Sequence, residues 1–166
     1  FNSVDTGSLT SASKLLTCVL MFIGGSPGST AGGIKTTTIF ILVVSLWSGI
    51  TDRHKTAVFK RRFEDDAIKK ASTVFTLNMF LAIFALFTIL AITDLSLSDV
   101  MFEVFSAIGT VGMTTGITRD LSSAARIIIM VLMFCGRVGS LSFALTFLQG
   151  KKDPPVYYPE EEISVG

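Results

Sequence analysis

Gly109-Thr110-Val111-Gly112-Met113-Thr114-Thr115-Gly116 is the stretch that decides how this chain folds. It carries no charge. A short apolar segment, Val100 to Ile108, leads into it, and a long one, Ala124 to Phe147, follows. Hydrophobic segments that meet at a protein surface are usually joined by charged turns, whereas this loop offers backbone carbonyls and hydroxyls. Irregular backbone at membrane depth survives only where it is buried in protein or lines an aqueous path.

Composition points to the same setting. The chain is 49% hydrophobic and 16% charged, against about 25% charged for an average soluble domain, and its mean hydropathy is +0.63. Ala71 to Ile92 is apolar and long enough to cross a hydrocarbon core of about 30 Å, which takes about 20 residues. Ala124 to Phe147 is a second candidate span. The expected fold is therefore an all-α polytopic membrane protein. Buried core helices of a soluble protein are the rival reading, but those are usually shorter. A formal net charge of +1 gives no reason to expect nucleic acid. Cys18 and Cys135 sit in apolar surroundings at a spacing that suggests neither a metal site nor a disulfide framework. The chain opens at Phe1 in polar loop sequence with no signal-peptide layout, so a piece of a longer protein is expected.

Charge placement orients the spans. Arg53, Lys55, Lys60, Arg61, Arg62, Lys69 and Lys70 fall between the first apolar region and Ala71–Ile92, and the positive-inside rule puts such a loop in the cytoplasm. Residues 1–50 then run from outside to inside, 51–70 form a basic cytoplasmic loop, and an outer helix at 71–93 returns outward. Residues 99–108 are too few to span and predict a re-entrant helix. The loop at 109–116 leads back to the outer face, an inner helix at 123–148 runs inward, and 149–166 form a cytoplasmic tail in which Pro154-Pro155 ends any helix. Asp5, Asp94, Asp99 and Glu103 give the outer side a negative character that concentrates cations, although loop acids of this kind are usually just solvated.

An internal repeat fits this layout. With the sequence shifted by 112 positions, Val19-Leu20-Met21-Phe22 falls on Val131-Leu132-Met133-Phe134. Thr6 falls on Thr118, Ser11 on Ser123, Lys14 on Arg126 and Gly24 on Gly136. Polar and small positions match along with the apolar run, and internal repeats are a common plan for transport proteins. Phe1 then falls on Met113, and a glycine equivalent to Gly112 is expected just upstream of Phe1.

The first apolar region is broken. Leu15 to Ile23 is too short to cross alone; Gly24-Gly25-Ser26-Pro27-Gly28-Ser29-Thr30-Ala31-Gly32-Gly33 follows, and the apolar run resumes at Ile39. Pro27 removes a helix donor and the glycines disfavour helix entropically. Broken helices at mid-membrane often mark ion sites. Two other readings stand beside this one: a flexible surface linker, and a phosphate-binding loop. The latter requires Lys directly after the last glycine, but Ile34 intervenes before Lys35-Thr36, which turns the lysine about 100° round a helix.

Arg137, in Gly136-Arg137-Val138-Gly139, lies roughly 20 Å down its helix from Ser123. An arginine near mid-bilayer costs at least about 2.5–3.5 kcal/mol and must face protein or water. The repeat places it level with Gly25, so it is expected to donate to free carbonyls of the 24–33 loop; the alternative is a plain helix–helix clamp. Lys35 is expected near the inner end of the break.

Rings of backbone carbonyls replace an ion's water shell in potassium filters of sequence TVGYG, and Thr110-Val111-Gly112 matches the first three letters. Together these residues resemble the Trk/Ktr/HKT family of potassium transporters. Phe1-Asn2-Ser3-Val4-Asp5 is similar to the segment after that family's third filter glycine, and Gly24 to Lys35 resembles its intramembrane gating loop. Thr110-Val111-Gly112-Met113-Thr114 resembles the fourth filter, with Gly112 as the key glycine. Arg137 resembles the inner-helix arginine that faces the gate, and Tyr158-Pro159-Glu160-Glu161-Glu162 resembles the carboxyl end of Ktr-type subunits.

The resemblance implies helix–pore loop–helix repeats around one pore, with about one and a half of four repeats in this chain. It implies K+, with Na+ as a further candidate, passing carbonyls of Gly109, Thr110, Val111, Gly112 and Met113. Asn2, Thr114 and Thr115 would support that filter. Gly24, Gly25, Ser26, Gly28, Ser29, Thr30, Gly32, Gly33, Lys35 and Arg137 would form the gate. The implied partners are the rest of the pore-forming chain, a second subunit in a homodimer, a cytoplasmic nucleotide-binding regulatory subunit and the lipid of a bacterial inner membrane. No covalent chemistry, catalytic residue or bound cofactor is expected. A sodium-coupled transporter on the same scaffold, a membrane ATPase using the glycine loop and a non-conducting scaffold subunit are the alternatives.

Overall fold

The structure, a computed structural model, describes residues 5–51, 57–58, 61–62 and 65–139. Its architecture is helical. Helix α1 is Ser11–Phe22, α2 Thr36–Ile50, α3 Asp65–Ile92, α4 Leu97–Ile108 and α5 Ser123–Val138. Short 3₁₀ turns at Thr6–Ser8 and Ile117–Arg119 precede α1 and α5. The basic loop adds a feature that its sequence does not announce, an antiparallel pair of two-residue strands, β1 (Ala57–Val58) and β2 (Arg61–Arg62).

Hydroxyl caps set three of the helix starts. Thr10, Ser96 and Ser122 each accept the N–H three residues on, from Ser13, Asp99 and Ala125, each at 3.3 Å. This satisfies donors that a helix start would otherwise leave free. The capped starts of α1 and α5 stand 112 residues apart, as the sequence shift requires.

Helix α3 is the one described helix long and apolar enough to cross a membrane unaided. It begins at Asp65, six residues before the expected start at 71, so Lys69 and Lys70 belong to the helix rather than to the loop. A carboxylate in the first turn, Asp66, suits the positive end of the helix dipole. The inner helix also departs from expectation. It ends at Val138, because Gly139 takes φ 90° and leaves helical geometry; residues 140–148 of the expected span, and the tail 149–166, lie outside the described residues. Helices α1 and α2, about 18 and 22 Å long, are shorter apolar helices that flank the break.

Helix α4 lies at the centre, packed by α1, α3 and α5. Val100, Phe102, Val104, Ala107 and Ile108 are buried on it. Val100, Val104 and Ile108 meet Ala82, Ala85 and Ile89 of α3, Ala125, Ile129 and Leu132 of α5, and Leu121 just before α5. The alanines let the backbones come close. Cys18 and Met21 of α1 pack on Phe102, and Phe22 meets the edge of Phe105 at 5.3 Å. Large apolar side chains such as Leu16, Trp47, Ile50, Phe84 and Phe87 point outward from the bundle.

Candidate functional site

The N-terminal ends of α1 and α4 are tied by Lys14 Nζ to Asp99 Oδ1 at 2.8 Å, across 85 residues. Their other ends meet at glycines. A side chain on Gly109 would lie 2.6 Å from the Met21 carbonyl oxygen. One on Gly33 would lie 3.4 Å from the Gly109 Cα, and one on Gly136 would strike the Ile108 carbonyl. The C-terminus of α4, with its partial negative charge, is therefore clasped between the end of α1, the break and α5.

The 109–116 loop starts as a helix cap. Thr110 N–H donates to Ala107 O at 3.1 Å and Val111 N–H to Ser106 O at 3.0 Å, the two bonds of a Schellman motif. The left-handed position of that motif usually holds glycine; here it holds Thr110 at φ 52°. A β-branched residue in this region is strained, by roughly 1–3 kcal/mol. Gly112 follows at φ 81°, with open space where a side chain would stand.

From there the chain turns back alongside α4. Thr114 Oγ1 donates to Glu103 Oε1, and Thr6 Oγ1 donates to the Thr114 carbonyl. A side chain on Gly7 would lie 3.2 Å from the Thr115 carbonyl oxygen, while the buried Thr115 hydroxyl has no hydrogen-bond partner among the described residues. Thr114 thus stands beside Glu103, so the loop runs back along α4. Among the described residues, no donor reaches the carbonyls of Gly109, Thr110, Val111, Gly112 or Met113.

The break is an ordered loop. Ile23 and Ile34 pair as a parallel bridge, with Gly24 N–H to Ile34 O at 2.7 Å and Ile34 N–H to Phe22 O at 3.2 Å. Ser26 to Ser29 make a turn with Pro27 and Gly28 (φ 82°) at its centre, the type II pattern. Four consecutive residues are then held from outside the turn. Lys35 Nζ binds Ser29 O at 3.3 Å and Ala31 O at 2.6 Å. Arg137 Nη1 donates to Thr30 O. Gly32 N–H donates to Thr110 Oγ1 at 2.8 Å. Arg137 itself is exposed to solvent.

The structure thus brings Thr110, Gly32, Gly33, Lys35 and Arg137 to one place beneath the end of α4. Gly25 is tied to the start of α2, through Thr36 N–H to Gly25 O at 3.2 Å. Asn2 lies outside the described residues. Sequence reasoning missed Glu103, which is buried rather than solvated. The signal was available: a carboxylate inside the apolar run Val100–Ile108 is expensive unless it has a partner or a function. It also missed Lys14 pairing with Asp99. The Lys14 ammonium and the Ser96 hydroxyl hold the Asp99 carboxyl below the usual carboxylate range.

Comparison with known proteins bears on what this arrangement serves. The family profile described as "TrkH: Cation transport protein" matches residues 1–153. The chain is 36% identical over its whole length to the Ktr system potassium uptake protein B of Bacillus subtilis, covering 37% of that protein. It is 39% identical, over 99% of its length, to the Ktr system potassium uptake protein D of the same organism, covering 36%. It is 36% identical to the potassium/sodium uptake protein NtpJ of Enterococcus hirae, covering 38%. The chain therefore spans a little over a third of the length of these relatives.

Proposed function

The chain belongs to the TrkH family of cation transport proteins, and on that footing we propose that it is a pore-forming part of a membrane potassium uptake protein. Residues 109–113 are its share of the ion filter and residues 24–33 its gate. One observation carries the reading. The loop returns beside α4, pinned at Thr110 by Gly32 and at Thr114 by Thr6 and Glu103, while among the described residues its carbonyls from Gly109 to Met113 receive no donor. A dehydrated cation needs several such oxygens held in place. The negative end of the α4 dipole lies at the inner end of the same path.

The gate lies directly against this filter segment. Ions leaving it meet the 24–33 loop, which Lys35 and Arg137 hold by its carbonyls. Their positive charges oppose a cation there. Opening requires these bonds to break or shift together. The wall of the pore is completed by the rest of the parent chain, since two half-spans, one full span, one re-entrant helix and α5 do not surround a path.

Potassium is the proposed ion because each of the three relatives is named for its uptake. A protein that also carries sodium is the second reading, favoured by the potassium/sodium name of the third. The names of the first two speak of a system, which supports a separate regulatory component; the homodimeric partner and the cytoplasmic, nucleotide-binding character of that component are assigned from the family resemblance alone. The test is growth of a potassium-uptake-deficient host at limiting potassium. The full-length protein should restore growth and its Gly112→Ser variant should not. Equal growth with the variant would remove the filter assignment.

A further inference from the structure

We propose that Glu103 is a positioning residue for ion selection: its buried carboxylate sets the height and orientation of the filter loop through Thr114 and Thr118. The inference rests on the filter reading of residues 109–113 and adds to it the device that holds them. Glu103 lies on α4 and is only 6% exposed. Thr114 Oγ1 and Thr118 Oγ1 both donate to its Oε1, the second at 2.9 Å. The two hydroxyls lie 2.8 Å apart, and Gly116 N–H donates to Thr114 Oγ1 at 2.9 Å. One carboxylate oxygen thus gathers the end of the loop, the left-handed Gly116 turn (φ 103°) and the 3₁₀ turn leading to α5.

Geometry makes this a lever on the ion path. Thr114 follows Gly112 by two residues, and its backbone carbonyl is fixed independently by Thr6. With the side chain held by Glu103 and the carbonyl by Thr6, Thr114 has no freedom to rotate. The Gly112–Met113 peptide is anchored through this doubly held threonine. A buried carboxylate is costly without strong partners, and hydrogen bonds to a charged group are the stronger kind. Releasing them lets carbonyl oxygens that compete with an ion's hydration shell move, which changes which ion fits.

The experiment uses the full-length protein and measures the potassium concentration dependence of uptake and its inhibition by sodium. Thr118→Val removes one donor and Thr118→Ser keeps it. Glu103→Gln keeps an acceptor oxygen and Glu103→Ala does not. Thr118→Val should raise the KM for potassium about three- to tenfold, the equivalent of one lost hydrogen bond, with Vmax within about twofold and weaker discrimination against sodium. Thr118→Ser should stay within about twofold of wild type, and Glu103→Gln should fall between wild type and Glu103→Ala. In the Glu103→Ala background, Thr118→Val should add nothing further. Equal effects of Thr118→Val and Thr118→Ser, or a Thr118→Val loss confined to Vmax and protein level, would overturn the proposal, as would Glu103→Gln failing as badly as Glu103→Ala. Gly112→Ser is run in parallel. If it abolishes uptake while the Thr118 variants keep wild-type KM and selectivity, this inference fails and the filter reading stands; if Gly112→Ser is silent, the filter reading itself has failed.

Discussion

The backbone N–H of Gly32 donates to the hydroxyl of Thr110 at 2.8 Å, joining the break in the first apolar region to the loop at the end of α4. Thr110 occupies a left-handed position where glycine would cost nothing, so the strain there is tolerated for the sake of its side chain. A side chain on Gly32 would lie 2.7 Å from Thr110 Cγ2 and 2.9 Å from the Gly136 carbonyl oxygen. The proposed gate and the proposed filter are thus in direct contact, and one cannot move without the other.

Thr110→Val should loosen that contact and Thr110→Ser should preserve it. The lost bond is worth about 0.5–1.5 kcal/mol, or roughly a two- to tenfold shift in the balance between closed and open. Basal potassium flux without activating conditions should rise by that factor in the valine variant and stay near wild type in the serine variant. Flux assays on the two full-length variants, normalised to protein in the membrane, check it.

Gly32→Ala and Gly136→Ala each place a methyl group against backbone: Gly32 against the Gly136 carbonyl, Gly136 against the Ile108 carbonyl. Backbone cannot swing aside as a side-chain end can, and overpacking of this kind costs about 1–3 kcal/mol. Both variants should unfold at lower temperature than wild type in detergent. Gly28→Ala meets open space, and its cost is confined to the positive φ, so its melting point should fall least of the three.

Arg137→Ala removes the donor to Thr30 O while leaving Lys35 on the flanking carbonyls of Ser29 and Ala31. Among the described residues Arg137 is exposed and makes this one hydrogen bond, so the loss to folding should be small. The effect should fall on the gate: raised basal flux with an unchanged melting point. Arg137→Lys should fall between the two, since it keeps the charge but loses the planar fork.

The Lys14–Asp99 pair predicts a pH window. Asp99 titrates below the usual carboxylate range in the folded chain because Lys14 and Ser96 favour its charged form. A depressed folded pKa contributes stability that is fully present above the unfolded value, about 3.9, and is lost as pH falls through the folded one. The stability difference between wild type and Asp99→Asn should therefore be constant from pH 8 to 5 and shrink only below about pH 4. Thermal melts of the two proteins across that range check it.

Much of this was legible in sequence because local chemistry fixed it. Pro27 and the surrounding glycines exclude a continuous helix, so the break was plain, and the hydrophobic run of 71–92 needs no partner to be recognised. Contacts between distant segments were less legible. Arg137 could be aimed at the 24–33 loop only because a repeat aligned the two; Lys14 and Asp99, 85 residues apart, had no such guide. Glu103 was grouped with the outer acids, although its place inside the apolar run Val100–Ile108 marked it as a carboxylate in need of partners; which partners, Thr114 and Thr118, only the folded loop shows. The start of α3 at Asp65 and the end of α5 at Val138 turn on Asp66 at a helix start and the φ of Gly139, both weaker signals than apolar length.

The most direct test of the central claim is ion flux into liposomes carrying the purified full-length protein, with potassium and sodium offered separately. The account predicts that wild type prefers potassium, that Arg137→Ala passes more potassium with the same preference, and that Gly112→Ser loses potassium flux or the preference itself. Wild-type flux and preference in Gly112→Ser would contradict it.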